Sequence, residues 1–382
     1  MMLPIRVLHV VVNMNRGGAE TLIMNIYRNI DRSKVQFDFL VHKAEGAYEE
    51  EIEKLGGTIY HIPYVTDVGH FGYKQELSKF FERNCDYKIV HAHMDSMSGL
   101  VLKAAKEAGI PVRISHSHNT RNEGSMLANI YKNYIKTKIN GSATNFMACS
   151  EAAAQWLFGK RSSQTLKIKN GIDAIRFKYD ENIRKRKRTE LVIDKDAYII
   201  GHVGRFCPQK NHTYLLDIFQ YFKKIHKNAM LLMVGQGPLR HEIEEKAKLL
   251  DIESSVIFLG DRGDTAELYQ AMDILLFPSL HEGVPLAVIE AQAAGLRCVV
   301  SEAVPYCADI GANLVSYLRL EDSAEVWALE LEKPYERLQN SVPYLIKSGY
   351  HIVSKAEEIQ EFYVDKAKGG TQHENHGVYT HV

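Results

Sequence analysis

The sequence predicts an α/β protein built from two doubly wound domains, and three observations carry that prediction. Short, unbroken β-rich runs alternate with helical stretches along most of the 382 residues, the pattern of parallel strands covered on both faces. The series of runs restarts once, beyond an Asn-Gly turn signal at 170–171. The length suits two or three domains, and the apolar fraction, 45%, is that of an ordinary globular protein.

Taken in order, the first series is "RVLHVVV" (6–12), "VQFDFLV" (35–41), "TIYHI" (58–62), "KIVHAH" (88–93), "VRISHS" (112–117) and "TNFMACS" (144–150). The second is "YIIGHVG" (198–204), "AMLLMVG" (229–235), "SVIFLG" (255–260), "DILLFPS" (273–279), "RCVVS" (297–301) and "NLVSY" (313–317). Between them "IKNGIDAIRF" (168–177) reads as the link, which puts one domain at 1–173 and the other at 174–351. "SKAEEIQEFYVDKAK" (354–368) has helical amphipathic spacing, and a helix over about 352–368 is expected to pack back on the first domain. The polar tail, 369–382, is expected to be disordered. Its His373, His376 and His381 lack the fixed geometry a metal site needs.

Charge balances overall but not along the chain. The first 173 residues carry 22 bases and 17 acids, the remainder 25 and 30. Between Met126 and Arg188 there are 14 bases and 4 acids, including Lys132, Lys136, Lys138 and the run "RKRKR" at 184–188. Such a belt is either a solvated charged face or a surface for anionic lipid. No nucleic-acid motif or aromatic ladder accompanies it, so nucleic acid is not an expected partner. The five cysteines are odd in number and form no Cys-x-x-Cys pair, which points to a reducing compartment and away from structural zinc. No run approaches the roughly 18 apolar residues of a membrane span. The expectation is a cytoplasmic protein with peripheral contact at the inner face of the membrane.

In doubly wound sheets ligands bind beyond the carboxyl ends of the strands. That rule selects His91 and His93, His116 and His118, Gly204 with Arg205, Gly235 with Gly237, and Glu282. Gly17 and Gly18 either let backbone approach a ligand or only make a tight strand-to-helix turn. Two histidines flanking Ser117 could bind zinc, but no third ligand is apparent. "DKD" at 194–196 matches the Asp-x-Asp string of a metal-held diphosphate, yet it precedes its strand and lies away from the ligand rim.

"HEGVPLAVIEAQAAG" (281–295) holds the most specific chemistry. Pro285 suits a helix start, Gly295 a left-handed stop, and the helix between them is apolar almost all round. Glu290 in its middle therefore needs donors, because a buried unpaired carboxylate costs several kcal/mol. Either a hidden Arg or Lys supplies them, or adjacent sugar hydroxyls do. Glu282 precedes the first turn, beside N–H groups that seat phosphate.

Together these stretches resemble the retaining, nucleotide-sugar-dependent glycosyltransferases of family 4, with the GT-B fold of two Rossmann-like domains facing across a cleft. "NRGGAETLIMNI" (15–26), "RISHSHNT" (113–120), "NGID" (170–173), "GHVGRFCPQKNHTYLL" (201–216) and the stretch from "FLGDRGD" through "HEGVPLAVIEAQAAGL" are similar to that family's motifs in order and spacing. Within it the chain looks most like capsule and exopolysaccharide enzymes. The likeness is loose beyond Val300.

The resemblance implies roles. Glu290 would bind the ribose, and Glu282 the hydroxyls of the donor sugar. The N–H groups of Gly283, Val284 and Leu286 would face phosphate. Arg205 and Lys210 would clamp the diphosphate, with Gly17, Gly18 and Gly235 beside the donor. A histidine, His116 in preference to His118, would lie near the transferred sugar; His91 and His93 would be structural or acceptor-side. It further implies a hexose donor activated as a nucleoside diphosphate, with uridine the first choice of base and guanosine the second, a glycan or lipid-linked acceptor, and no metal or other cofactor. The alternatives are a nucleotide-sugar epimerase or phosphorylase on the same fold, or a non-catalytic subunit of a glycan-assembly complex. A nicotinamide dehydrogenase is disfavoured, since no Gly-x-Gly-x-x-Gly follows the first strand.

Overall fold

A computed structural model describes residues 3–15, 17–43, 46–122 and 124–369. The tail expected at 369–382 lies, past its first residue, outside the described residues. Among the described residues thirteen strands form two wholly parallel sheets. The first contains β1 (Ile5–Val10), β2 (Val35–Val41), β3 (Ile59–His61), β4 (Ile89–Ala92), β5 (Val112–Ser117), β6 (Asn145–Ala148) and β7 (Leu166–Lys167), in the order β3-β2-β1-β4-β5-β6-β7. The second contains β8 (Tyr198–Val203), β9 (Ala229–Val234), β10 (Val256–Gly260), β11 (Ile274–Phe277), β12 (Arg297–Ser301) and β13 (Val315–Leu318), in the order β10-β9-β8-β11-β12-β13. Each order reverses beside its first strand, which is where a doubly wound sheet opens its ligand crevice. All twelve β-rich runs became strands. The short edge strand β7 had no counterpart among them, because two residues leave no alternation to read.

The chain divides into two compact units, one running to Gly171 and resuming at Ile352, the other Ile172–His351. This division falls two residues before the expected Asp173 boundary. Ile172 already belongs to the second unit: it bridges His351, and its N–H donates to the Tyr350 carbonyl at 2.6 Å. In the first unit the helix Ile352–Ala367 buries Ile352, Ala356, Ile359 and Tyr363 in the core shared by β1, β2 and the helix Gly18–Asn29. Full burial of side chains such as Ile352 and Ile359 contributes about 1.5–3 kcal/mol each.

The basic run at 184–188 does not extend the basic belt as a free surface. It lies on the helix Glu181–Glu190, and all five of its bases have carboxylate partners. Lys187 is 3% exposed, with its Nζ 2.7 Å from Glu190, 2.8 Å from Asp264 and 3.0 Å from Glu267. Arg184 and Arg188 both bind Asp273. Arg184, Lys187 and Arg188 face inward, where a covered ammonium or guanidinium requires such partners, while Lys185 and Arg186 stay exposed.

The other half of the belt is different. The helix Met126–Lys136 turns Ile135 into the core and leaves Met126, Leu127, Ile130 and Tyr134 exposed. His70, hydrogen-bonded to Tyr131 at 2.8 Å, brings the exposed Phe71 to the same area. Among the described residues no helix is long and apolar enough to cross a membrane.

Candidate active site

In the second unit, β8 ends at Val203 and delivers Gly204 and Arg205 to the carboxyl edge of the sheet. Close backbone packing fixes this turn. Gly235 (φ +139°) follows β9, and a Cβ there would stand 2.1 Å from the Gly204 carbonyl oxygen. Gly235 is therefore a positioning residue for the Arg205 loop rather than an open phosphate contact. Phe206, 1% exposed, anchors the next residue, and its N–H donates to the Gln236 carbonyl at 3.0 Å. The Arg205 guanidinium is left exposed, and among the described residues it has no ion-pair partner.

Lys210 takes the opposite course. Its Nζ lies 2.7 Å from Glu282 Oε1 and 4.6 Å from the centre of the Phe277 ring. Gln209 Nε2 donates to Glu282 Oε2 at 3.2 Å and to the His281 carbonyl at 2.9 Å, and the Leu280 N–H returns a bond to the Gln209 carbonyl at 2.8 Å. The Glu282 side chain is 5% exposed. Lys210, expected to clamp the diphosphate, and Glu282, expected to bind sugar hydroxyls, are thus ion-paired with each other. Each satisfies the other, because two adjacent, nearly buried opposite charges are far costlier apart. The pair and the Gln209 bonds staple the loop carrying Arg205 to the loop that opens the next helix.

That helix is Leu286–Ala293, with Pro285 at its N-cap. Among the described residues, the N–H groups of Gly283, Val284 and Leu286 have no acceptor. Unpaired N–H groups at a helix start form an anion seat. One turn into the helix, Glu290 finds neither Arg nor Lys within ion-pair distance among the described residues. Its Oε2 and the Ala287 carbonyl share the single proton of the Tyr269 hydroxyl, at 3.2 Å and 3.1 Å. Burial raises the Glu290 carboxyl above its ordinary range, opposed by the Tyr269 hydrogen bond and by Arg176. Oε1 has no protein partner among the described residues and is not sealed from solvent. Asp194 and Asp196 lie before β8, at the opposite, amino end of the sheet.

In the first unit the sheet's carboxyl edge carries the histidines. His9 pairs in register with His91 on neighbouring strands, and alternate residues of β4 and β5 bring His93, His116 and His118 to the same face. The rings stack at 4.1 Å for His91–His93 and for His116–His118. Burial, reinforced by neighbouring histidines, pushes His91, His93 and His116 well below the usual imidazole range; His9 falls to about 3. His116, 1% exposed, is inside β5, whereas His118 is the first residue beyond it and half-buried. Of the two histidines expected near the transferred sugar, His116 is thus covered in mid-strand, and His118, past the strand end, reaches the rim. Asp95, in the left-handed region at φ +46°, accepts from the His118 N–H at 2.9 Å and from Asn119 Nδ2 at 2.7 Å.

Gly17 and Gly18 differ. A Cβ on Gly17 would meet Glu20 Oε2 at 2.2 Å, while Gly18, opening the helix, has nothing within 4 Å. Gly18 is the open backbone and Gly17 makes room for a carboxylate. Gln209, Tyr269, Glu20, Asp95 and Tyr363 were not singled out from sequence. Each acts through a partner many positions away, and no local spacing marks it.

Residues 183–336 match the model of the glycosyl transferases group 1, and residues 16–176 that of glycosyltransferase family 4. The chain is 38% identical to EpsF of Bacillus subtilis (strain 168), assigned as a glycosyltransferase, over 85% of this chain and 86% of that one. It is 26% identical to the capsular polysaccharide biosynthesis glycosyltransferase CapH of Staphylococcus aureus, over 95% and 99% of the two chains. The fold is that of HepE of Anabaena, solved in complex with UDP, with a TM-score of 0.70 and 20% identity over 96% and 97% of the chains. The chain belongs to the family 4 glycosyltransferases, with a two-domain GT-B fold.

Proposed function

We propose that this family 4 glycosyltransferase moves a hexose from UDP-hexose to a hydroxyl of a glycan or lipid-linked glycan in capsule or exopolysaccharide synthesis, with retention of anomeric configuration. The observation that carries the reading is the set of unsatisfied groups at the carboxyl edge of the second sheet. An unpaired guanidinium (Arg205), unpaired N–H groups at a helix start (Gly283, Val284, Leu286) and a carboxylate with one open oxygen (Glu290) occur on loops stapled together by Lys210, Gln209 and Glu282. Cation and N–H groups suit a diphosphate, and the carboxylate suits adjacent ribose hydroxyls. The UDP bound to HepE supports uridine, and the name of CapH supports the capsule role.

Bond cleavage in such a donor leaves oxocarbenium character on the sugar and negative charge on the diphosphate. Arg205 and the helix start supply fixed positive potential where that charge grows, which lowers the barrier. Lys210 adds to it once ligand contacts draw it from Glu282, which in turn frees that carboxylate for sugar hydroxyls. His118, at the first unit's rim, is the group assigned to the transferred sugar, with His91 and His93 as structural or acceptor-side groups. In this reading the donor diphosphate is neutralised by protein groups, without a metal ion. The apolar face of Met126, Leu127, Ile130 and Tyr134, flanked by Lys132, Lys136 and Lys138, supports peripheral contact with an anionic membrane, where a lipid-linked acceptor would reside.

Isothermal titration with UDP, ADP, GDP and NAD, followed by proton NMR of the product formed from UDP-hexose and candidate acceptors, tests the reading. UDP should bind best and the product should keep the donor's anomeric configuration. Tighter binding of NAD, or full donor conversion without acceptor as an epimerase or phosphorylase would give, would overturn it.

A further inference from the structure

The five-histidine cluster of the first unit exceeds what a sugar-facing imidazole requires. Four of its members are buried, and among the described residues His9 Nε2 and His116 Nε2 have no partner. Stranding a buried polar atom costs about 1–3 kcal/mol. We propose that His93, His116 and His118 form a binding site for one divalent transition-metal ion, with zinc as the best match. Sequence shows two histidines around Ser117 and no third ligand. Folding supplies the third from β4, because His93 stands opposite His116 in the extended register.

Three features carry the inference. One ligand nitrogen from each of His93, His116 and His118 lies within 4.8 Å of the others. Zinc–nitrogen bonds of about 2.1 Å in a tetrahedron place ligand nitrogens roughly 3.4 Å apart, so small side-chain rotations bring the set to that spacing. Second, a single set of tautomers frees all three nitrogens. His91 Nδ1 donates to the Tyr363 hydroxyl oxygen at 2.7 Å, and His116 Nδ1 donates to His91 Nε2 at 3.2 Å, so His116 Nε2 keeps a bare lone pair. His93 Nδ1 and His118 Nε2 are 2.9 Å apart. The ion takes the place of the proton they share, while His93 Nε2 donates to His9 Nδ1 at 3.0 Å.

Third, a carboxylate stands beside the set: Asp95 accepts from the His118 N–H at 2.9 Å, and a nearby negative charge favours a cation. The other triple, His9, His91 and His93, is less suited, since both nitrogens of His91 are already engaged. His93 is common to both triples, so one ion is expected. Three histidines leave a fourth position for water or a substrate oxygen.

The test uses the full chain stripped with a chelator and titrated with cobalt(II), read by visible absorption, then with zinc in competition with a chromophoric chelator. One ion per chain should bind, with tetrahedral cobalt bands and no thiolate charge-transfer band. His118→Asn and His116→Gln should each weaken binding at least 100-fold, and Tyr363→Phe, which loosens the outer partner, about tenfold. Replacing His373, His376 and His381 together by Ala should leave the site intact. Failure of the stripped chain to bind either ion would overturn the proposal. So would binding that survives in both His118→Asn and His116→Gln, or that vanishes with the tail substitutions. Circular dichroism of the metal-free variants separates lost binding from lost folding. UDP titration in metal-free buffer is read independently, so failure here leaves the donor reading standing.

Discussion

Replacing Glu290 by Gln removes a charge and keeps the shape, which separates binding from folding at one atom. In the free protein Oε2 accepts one hydroxyl hydrogen bond from Tyr269 and Oε1 has no protein partner among the described residues. If Oε1 receives the ribose hydroxyls, the loss is that of a hydrogen bond to a charged acceptor, about 1.5–3 kcal/mol. That corresponds to UDP binding about 10- to 150-fold weaker. Stability should move the other way. Burial raises the Glu290 carboxyl, so folding favours its neutral form, and the wild type loses stability as pH rises through that raised value. Glu290→Gln has no such loss and should be at least as stable as wild type at neutral pH. The ratio of wild-type to variant UDP affinity, in which phosphate titration cancels, should grow as pH rises through the same window. Calorimetry from pH 4.5 to 8 with parallel thermal melts measures both. A Kd within threefold of wild type, or a marked drop in melting temperature, refutes the reasoning: Glu290 would then be a structural partner of Tyr269.

Arg205→Ala should lower kcat about 100- to 1,000-fold in a donor-consumption assay while leaving the melting temperature unchanged, since the side chain is exposed and unpaired. Lys187→Ala removes a buried ammonium from among Glu190, Asp264 and Glu267 and should cost about 3 kcal/mol in urea denaturation. Asp264 is held below the usual carboxylate range by Arg262 first and then by Lys187. Its contribution is present above the ordinary carboxylate value and lost as pH falls through the depressed one, so the variant should also unfold at a less acidic pH. Leu127→Ser with Ile130→Ser should reduce co-sedimentation with anionic vesicles more than tenfold, and unchanged binding would show that this face does not meet lipid.

Much of the molecule was legible from one-dimensional pattern. Strands such as "VQFDFLV" and "DILLFPS" are continuous apolar runs because both their faces are covered. The Asn-Gly signal marked the link to within two residues of the division at Gly171. Arg205 and Glu290 stood out since a strand's end and an apolar helix constrain their own surroundings. The rest depended on which distant residues meet. Glu282 and Lys210 are far apart in sequence and become one ion pair. The run "RKRKR" looks like a free basic surface until Asp264 and Asp273 arrive from another part of the chain. The same holds for the histidines: two on each of two strands and one on a third form a single buried cluster only when parallel register sets them on one face. Local sequence determined the elements because backbone hydrogen bonding and side-chain period act over a few residues. Partners of buried charges and imidazoles were decided by tertiary structure, because desolvation makes pairing obligatory without specifying from where in the chain the partner comes.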